Sequence, residues 1–389
     1  MNPFEPSEMV DKPFPPSISP LLPGEGEGVR DRAASGNYGT LGESGHVRAG
    51  LRRRVRADTL CRSTRRGLLL AAAAWPVLAW TGAVYGQSKR PPILIGWLSA
   101  GSSDSQGASL AAFREGLVAL GWKEGSRLVI EERWAGGRDE RLQPLAEELA
   151  AKKPALIVAV AAQAGVAAVK AAPKVPIVLF GADPVALGLA KSLARPGGLV
   201  TGVTTLTVTI TEKYLELLLA AAPRVRRVGF LVDSAHPLRA IFMENSRRSV
   251  TQRSVEARFA EASSPEEIEP ALSHLAKEGV QALVVMPGST FSTEPRRIVK
   301  FALAQRWPMI GAWPAFAEEG ALLSYGADRP ALNHRLAYYV DRILKGAKPG
   351  DLPIEQATKF ELVINMKTAR ALKLEISREL AVRADRVIE

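Results

Sequence analysis

Ser99, Gly101, Ser102 and Ser103 stand directly between an apolar run, Ile93–Leu98, and a stretch with helical spacing. Comparable positions recur along the chain. Ala161, Ala162 and Gln163 follow Leu156–Val160, and Gly181, Ala182 and Asp183 follow Val175–Phe180. Asp233 and Ser234 follow Val228–Val232; Pro287, Gly288 and Ser289 follow Ala282–Met286; Trp313 follows Met309–Ala312, and Tyr325 closes Ala321–Tyr325. In parallel sheets covered on both faces, ligands sit beyond the carboxyl ends of the strands. The residues gathered by that rule are small, hydroxylic and aromatic, and the chemistry they suit is binding. Backbone N–H groups at helix starts favour an anionic end such as a carboxylate. Aromatic rings offer contact area to an apolar side chain or a cation. Each also has a purely structural role open to it. Ser99–Ser105 can cap the first helix, as Asp183 can cap a turn at Pro184. Trp313 and Tyr325 can be core or lobe-edge aromatics, and Trp97, inside its strand, reads as core.

Constellations for catalysis are absent. His236, His274 and His334 are far apart and form no His-Glu-x-x-His pattern, so they read as surface or packing residues. Gly96-Trp-Leu-Ser-Ala-Gly101 has the glycine spacing of a phosphate loop, but Ser-Ser follows where the phosphate-reaching lysine belongs. No Gly-x-Ser-x-Gly elbow follows a strand. The single cysteine, Cys61, precedes the first apolar run, which excludes an intrachain disulfide and a Cys-Cys metal site. Pairs such as Glu131/Glu132, Glu147/Glu148 and Glu318/Glu319 are adjacent in sequence and point in different directions, so they do not form a shared acid–base site. No catalytic residue, metal or cofactor is expected.

The elements that must position the binding set alternate in a regular way. Ile93–Leu98, Leu156–Val160 and Ala282–Met286 are near-continuous apolar runs, the mark of strands covered on both faces. Between them, Leu110, Phe113, Leu117 and Leu120 fall on one helical face, as do Leu142, Leu145 and Leu149. The rhythm repeats after residue 205: helices over Thr211–Ala222, after His236 and around Ile268–Leu275, then Ile298–Ala304 and a long one carrying Leu332, Leu336, Val340 and Ile343. Phe360–Ile364 reads as the last strand. Strands alternating with helices of 10–15 residues argue for parallel sheets wound on both sides. The fold class is therefore α/β, with two doubly wound parallel-sheet lobes and a ligand cleft between them. Asp183–Thr205 reads as the cleft rim: a helix-length apolar piece stopped by Arg195-Pro-Gly-Gly198, then an extended run into the first crossing between lobes.

That same segment, Asp183-Pro-Val-Ala-Leu-Gly-Leu-Ala-Lys-Ser-Leu-Ala-Arg-Pro-Gly-Gly-Leu-Val-Thr-Gly-Val-Thr-Thr205, resembles a motif of the periplasmic substrate-binding proteins of ABC transporters. The best-known branch of that family takes up aromatic amino acids. A second resemblance lies in Pro353-Ile-Glu-Gln-Ala-Thr-Lys-Phe-Glu-Leu-Val-Ile-Asn365 and Lys367-Thr-Ala-Arg-Ala-Leu372, with weaker echoes from Ile93 to Glu389. The resemblance implies a periplasmic-binding-protein type I-like architecture and a small solute, an amino acid or related carboxylate, gripped by lobe closure. It implies an ABC permease and its ATPase as membrane partners. Ser99, Gly101, Ser102, Ser103, Ala162, Gln163, Gly181, Asp183, Thr204, Asp233, Gly288, Ser289, Trp313 and Tyr325 are then the candidate ligand contacts. Gln163 stands where the family commonly shows a hydroxyl residue, and Asp233 replaces a frequent Asn; both bear on which ligand is held. Hinges are expected near Val203–Thr205, Tyr325–Ala327 and Leu352–Glu355. The alternatives are a ligand-sensing domain of a membrane signalling system and an enzyme on the same fold. The enzyme would need a titratable pair converging in the cleft, and Asp183 facing Asp233 across a substrate would favour it.

Bulk numbers agree with a two-unit binding protein. The chain has 389 residues, 47% hydrophobic and 23% charged, ordinary for a globular chain with a sizeable core. Of its formal charge of +11, about +8 belongs to the residues after 86 and is spread without a dense basic block, so nucleic acid is not expected as a partner. A monomer is expected. Residues 1–57 are rich in Pro, Gly, Ser and charge, which reads as disorder or as a wrongly assigned start. Residues 58–86 read as an export signal: arginines, then the apolar Gly67–Val84, then small residues at Val84-Tyr-Gly86. Thr64-Arg-Arg-Gly-Leu-Leu69 leaves the twin-arginine and Sec routes both open, and a retained anchor is the alternative to cleavage. The expected location is periplasmic. Residues 87–204 with about 326–351 form the first lobe, and 205–325 with about 352–389 the second.

Overall fold

Period-two alternation along buried strands sends successive side chains to opposite faces, and here it builds two sheets, each with a core on both sides. The computed structural model describes residues 91–181, 183–205 and 210–389. Ala182, residues 1–57 and the export signal expected over 58–86 lie outside the described residues.

The first sheet comes from β1 (Ile93–Ser99), α1 (Ser103–Ala119), β2 (Leu128–Trp134), α2 (Leu142–Ala151), β3 (Leu156–Val160), α3 (Ala162–Ala171), β4 (Ile177–Gly181) and β5 (Val200–Thr204). Ile95, Trp97, Val158, Val178 and Phe180 face one core with Phe113 and Leu117 of α1; Leu98, Ile157, Ala159 and Leu179 face the other with Leu149 and Ala168. The second sheet follows with α4 (Ile210–Ala221), β6 (Arg227–Asp233), α5 (Arg239–Gln252), β7 (Glu256–Ala262), α6 (Ile268–Lys277), β8 (Ala282–Val285), α7 (Ser289–Thr293), α8 (Pro295–Ala304), β9 (Met309–Gly311), α9 (Pro314–Glu318) and β10 (Leu323–Ala327). Val228, Phe230, Val284 and Ile310 pack beside Tyr214 and Leu218, while Leu231, Leu283, Val285 and Met309 pack beside Leu272 and Ile298.

After β10 the chain returns to the first lobe as α10 (Arg329–Leu344), which packs against α1. Gly116 permits that approach: a Cβ there would lie 2.8 Å from the Ala337 Cβ. Asp341 on α10 is buried, accepts from Trp122 Nε1 at 2.8 Å and pairs with Lys345 Nζ at 2.7 Å. Asp341→Ala would leave the indole N–H unpaired, so a stability loss of about 1–3 kcal/mol is expected in urea unfolding, with Asp341→Asn losing less. The chain then forms β11 (Glu355–Gln356), β12 (Phe360–Asn365), α11 (Met366–Leu372), α12 (Arg378–Val382) and β13 (Arg386–Ile388).

Among the described residues the strand orders are β11-β5-β4-β3-β1-β2 and β13-β12-β10-β9-β8-β6-β7. All pairings are parallel except β10 with β12. The architecture is thus the expected α/β pair of lobes, with three differences in detail. The helix-length piece after Asp183 is one turn only: Leu187 N–H bonds the Asp183 carbonyl at 3.0 Å, and Gly188, at φ 71°, ends it. Phe360–Asn365 is not the last strand; β13 pairs beyond it. Leu352 belongs to the first lobe's core and Glu355 pairs with Val203, so the third passage runs through Ala357–Lys359 rather than Leu352–Glu355. The second and third passages are tied together. Asp328 caps α10 by accepting from Ala331 N–H at 3.2 Å, and its carboxylate also binds Lys359 Nζ at 2.8 Å.

Candidate functional site

Register decides where the strand ends meet. Ser99 lies beside Val160, Val160 beside Phe180 and Gly181 beside Thr204, so β1, β3, β4 and β5 finish along one rim. Facing that rim are the carboxyl ends of β6, β8 and β9. The space between is about 490 Å³ including its open mouth, and Gln106, Gln163, Phe180, His236, Trp313 and Arg329 are its larger lining side chains. Small walls come from Ala161, Ala162, Gly181, Pro287 and Gly288.

Arg329 begins α10 at the second passage, where β10 has just ended. Its guanidinium carbon sits 4.4 Å from the Trp313 ring centre on one lobe and 5.7 Å from that of Phe180 on the other. Nε is shielded from solvent and has no hydrogen-bond partner, and no carboxylate pairs with the group among the described residues. Burial lowers its pKa to about 10, so it stays cationic at neutral pH. Stacking on two aromatic faces offsets part of the desolvation.

Helix α3 opens on the same cavity. Its N-cap, Ala161, holds φ 91° and ψ 161°, a region nearly reserved for glycine that costs roughly 1–3 kcal/mol in other residues. No side chain caps α3, which leaves its first-turn N–H groups for an anion.

The opposite end of the cavity is acidic. Gln163 Nε2 lies 3.0 Å from Asp139 Oδ2 and 3.3 Å from Asp233 Oδ2, and Ser289 Oγ lies 2.8 Å from Asp139 Oδ1. Asp139 and Gln163 belong to the first lobe, Asp233 and Ser289 to the second. Burial pushes Asp139 up to about 6, and burial with the nearby Asp139 charge pushes Asp233 up to about 7. The buried Gln163 Oε1 has no partner. His236 is held neutral, its pKa lowered to about 4 by burial; its Nδ1 accepts from Leu238 N–H at 3.1 Å and its ring packs on Phe242.

Of the residues the sequence singles out, Ala162, Gln163, Gly181, Gly288, Ser289 and Trp313 line the cavity, and Asp233 bonds to two of them. The others lie elsewhere. Ser99 donates to Gln106 Oε1 at 2.7 Å and accepts from Gly101 N–H, bracing Gln106 from behind. Ser102 caps α1 in a reciprocal box with Ser105, and Ser103 is exposed on its first turn. Asp183 caps its own turn through Val185 N–H at 2.9 Å. Thr204 is buried in β5, and it is Thr205 that reaches the cavity. Tyr325 stacks on Phe360, 5.5 Å between ring centres. Asp183 is thus occupied by its own turn, and the titratable pair that converges in the cleft is Asp139 with Asp233.

Asp139, Gln106, Phe180, Thr205, His236, Ser292 and Arg329 are not among the candidate contacts that the sequence singles out. Strand ends could have supplied two of them. Asp139 follows β2, and Arg329 becomes visible once β10 is carried to Ala327 rather than stopped at Tyr325. Gln106 sits inside a helix and carries no such signal.

The fold has relatives among known proteins. A tyrosine-binding protein of Clostridioides difficile (strain R20291) is 26% identical over 264 residues, covering 68% of this chain and 76% of that protein. The crystal structure of a conserved domain protein from Vibrio cholerae superposes with a TM-score of 0.72 at 26% identity, covering 76% of this chain and 99% of that one. The ABC domain in complex with L-Trp from Streptococcus pneumonia superposes with a TM-score of 0.71 at 25% identity, covering 76% and 100%. Residues 98–388 match the family described as ABC transporter substrate binding protein, and the chain belongs to that family.

Proposed function

We propose that the protein is the extracytoplasmic receptor of an ABC importer and that it grips a free amino acid between its lobes. The observation that carries this is Arg329, a half-buried cation between two aromatic rings, facing the cavity with no carboxylate partner among the described residues. A carboxylate would occupy the space before Arg329 and the start of α3. The ammonium would lie toward Asp139, Asp233 and the unpartnered Gln163 Oε1. An apolar side chain would rest on Phe180, Pro287 and the alanines of the rim. The tyrosine-binding relative and the L-Trp complex make aromatic amino acids the first candidates.

Because ligand contacts come from both sheets, binding would shift the population toward the closed form, which the permease then recognises. No helix among the described residues is long and apolar enough to cross a membrane. Export would rest on the segment upstream of Gln87.

A thermal-shift screen followed by calorimetry tests the reading. L-Tyrosine, L-tryptophan and branched amino acids should stabilise the protein, by about 2.7 kcal/mol at one hundred times Kd. Tryptamine and 3-(indol-3-yl)propionate, each lacking one charged group, should bind far more weakly than tryptophan. A sugar or nucleoside that stabilises the protein while every amino acid fails would overturn the proposal.

A further inference from the structure

Two carboxylates from opposite lobes converge on the same pair of neutral groups. Besides the contacts of Asp139, Ser289 Oγ lies 3.5 Å from Asp233 Oδ2 and 3.1 Å from Gln163 Nε2. Asp139 stands just beyond β2 of the first lobe and Asp233 ends β6 of the second, so the pair spans the cleft. A hydroxyl has one proton to give, and an amide neutralises no charge. The seam therefore holds two acids with no compensating cation among the described residues.

The groups around the seam do not supply one. Arg138 pairs with Glu266 at 2.6 Å, and Arg141 donates to the Ala135 carbonyl at 3.1 Å. Glu140 beside Asp139 adds negative charge, and His236 is neutral. Arg329 lines the same cavity but rests on Trp313 and Phe180. The remaining bonds across the seam close without a ligand: Thr290 Oγ1 donates to the Gly137 carbonyl at 2.9 Å.

We infer that Asp139 and Asp233, held by Gln163 and Ser289, form a proton-binding latch, and that the empty cleft shuts by taking up one proton between them. With the proton in place, Asp139 can donate to Ser289 Oγ at 2.8 Å while the serine's own proton turns to Asp233 Oδ2 at 3.5 Å, so the seam is satisfied. When the proton leaves, two like charges in a poorly solvated seam push the lobes apart. The sign follows from the raised values in the closed form. Closure is unopposed at and below the ordinary carboxylate pKa near 3.8 and is lost as pH rises through about 6 to 7. In that window a one-proton latch lowers the closed-to-open ratio by up to roughly tenfold per pH unit.

The latch goes beyond the amino-acid reading and is tested without any ligand. Protein stripped by unfolding and refolding would be followed by small-angle X-ray scattering from pH 4.5 to 8, beside Asp139→Asn, Asp233→Asn and the double variant. Wild type should be compact at pH 5 and expanded at pH 8. The double variant, neutral at every pH, should stay compact throughout, and each single variant should reduce the transition. Circular dichroism would verify that each variant is folded. A radius of gyration that does not change with pH in wild type, or a transition that persists in the double variant, would overturn the latch. Neither result would bear on which solute the cleft accepts.

Discussion

Arg329→Met is expected to abolish ligand retention while leaving the empty protein as stable as wild type or more so. The two halves of that expectation share one cause. The guanidinium is removed from much of its water, is lowered toward about 10 by burial, and has no carboxylate to compensate it among the described residues. Replacing an unpaired, desolvated cation with an apolar chain of similar length removes a cost, and Met keeps contact with Trp313 and Phe180. In the loaded form the same cation would meet a carboxylate in a dry setting. Losing one partner of such a pair costs about 2–5 kcal/mol, or roughly 30- to several-thousand-fold in Kd. Calorimetry with the amino acid that scores in the screen reads the affinity, and thermal unfolding of the stripped protein reads the stability. Arg329→Lys should recover only part of the binding, since an ammonium lacks the planar fork that meets both carboxylate oxygens. If the methionine variant binds as tightly as wild type, the carboxylate is held elsewhere. A large fall in stability would instead mean that the stacked arginine is structural.

The acidic end of the cavity acts in the opposite direction with pH. A ligand ammonium and a proton would compete for the same place between Asp139 and Asp233. Amino-acid affinity should therefore rise as pH increases from 5 to 8, while closure of the empty cleft falls. That opposition separates a seam tuned for exchange from one that is merely acidic.

How much of this was legible before the structure depended on whether a residue's role is local. Strands covered on both faces announce themselves as apolar runs, and Leu156–Val160 is buried at every position. Gln163, Gly288 and Ser289 reach the cavity because strand ends converge there in any sheet of this kind. The serines after β1 satisfy the same rule but meet their own helix first, so capping takes Ser102 and leaves Ser103 in solvent. Thr204 and Thr205 differ by one position and hence by direction, a distinction that composition does not carry. Arg329 lies beyond Ala327, the end of β10, whereas the apolar run of that strand stops at Tyr325. Asp139 stands past the loop that follows Trp134, the end of edge strand β2, and so falls outside the residues immediately after a strand. The antiparallel pairing of β12 and the edge strands β11 and β13 are set by partners far away in sequence. Short runs such as Glu355–Gln356 have no pattern of their own.

Gly202→Ala is the substitution expected to damage the fold most. Gly202 sits in the middle of β5 at φ 139°, a backbone shape that side chains rarely allow. A Cβ built there would lie 2.0 Å from the Leu179 carbonyl oxygen and 2.7 Å from its nitrogen. Those are backbone atoms of β4, held in the ladder that pairs Leu179 with Gly202, so no rotamer change relieves the clash. Relief would require β5 to peel away from β4, and β5 also carries β11 at its outer edge. It would also unseat Thr201, whose hydroxyl donates to the Leu352 carbonyl at 2.8 Å, and with it the approach to the third passage. A loss above about 4 kcal/mol is expected, in the range reserved for backbone strain and broken cores. The variant should be recovered mostly as aggregate or with a sharply lower Tm. Gly198→Ala is the control: it is a nearby glycine with open space where its Cβ would go and no positive φ, and it should unfold within roughly 0.5 kcal/mol of wild type. Near-native stability for Gly202→Ala would mean that β4 and β5 are not bound at this register, and the rim that aligns Gly181 with Thr204 would have to be redrawn.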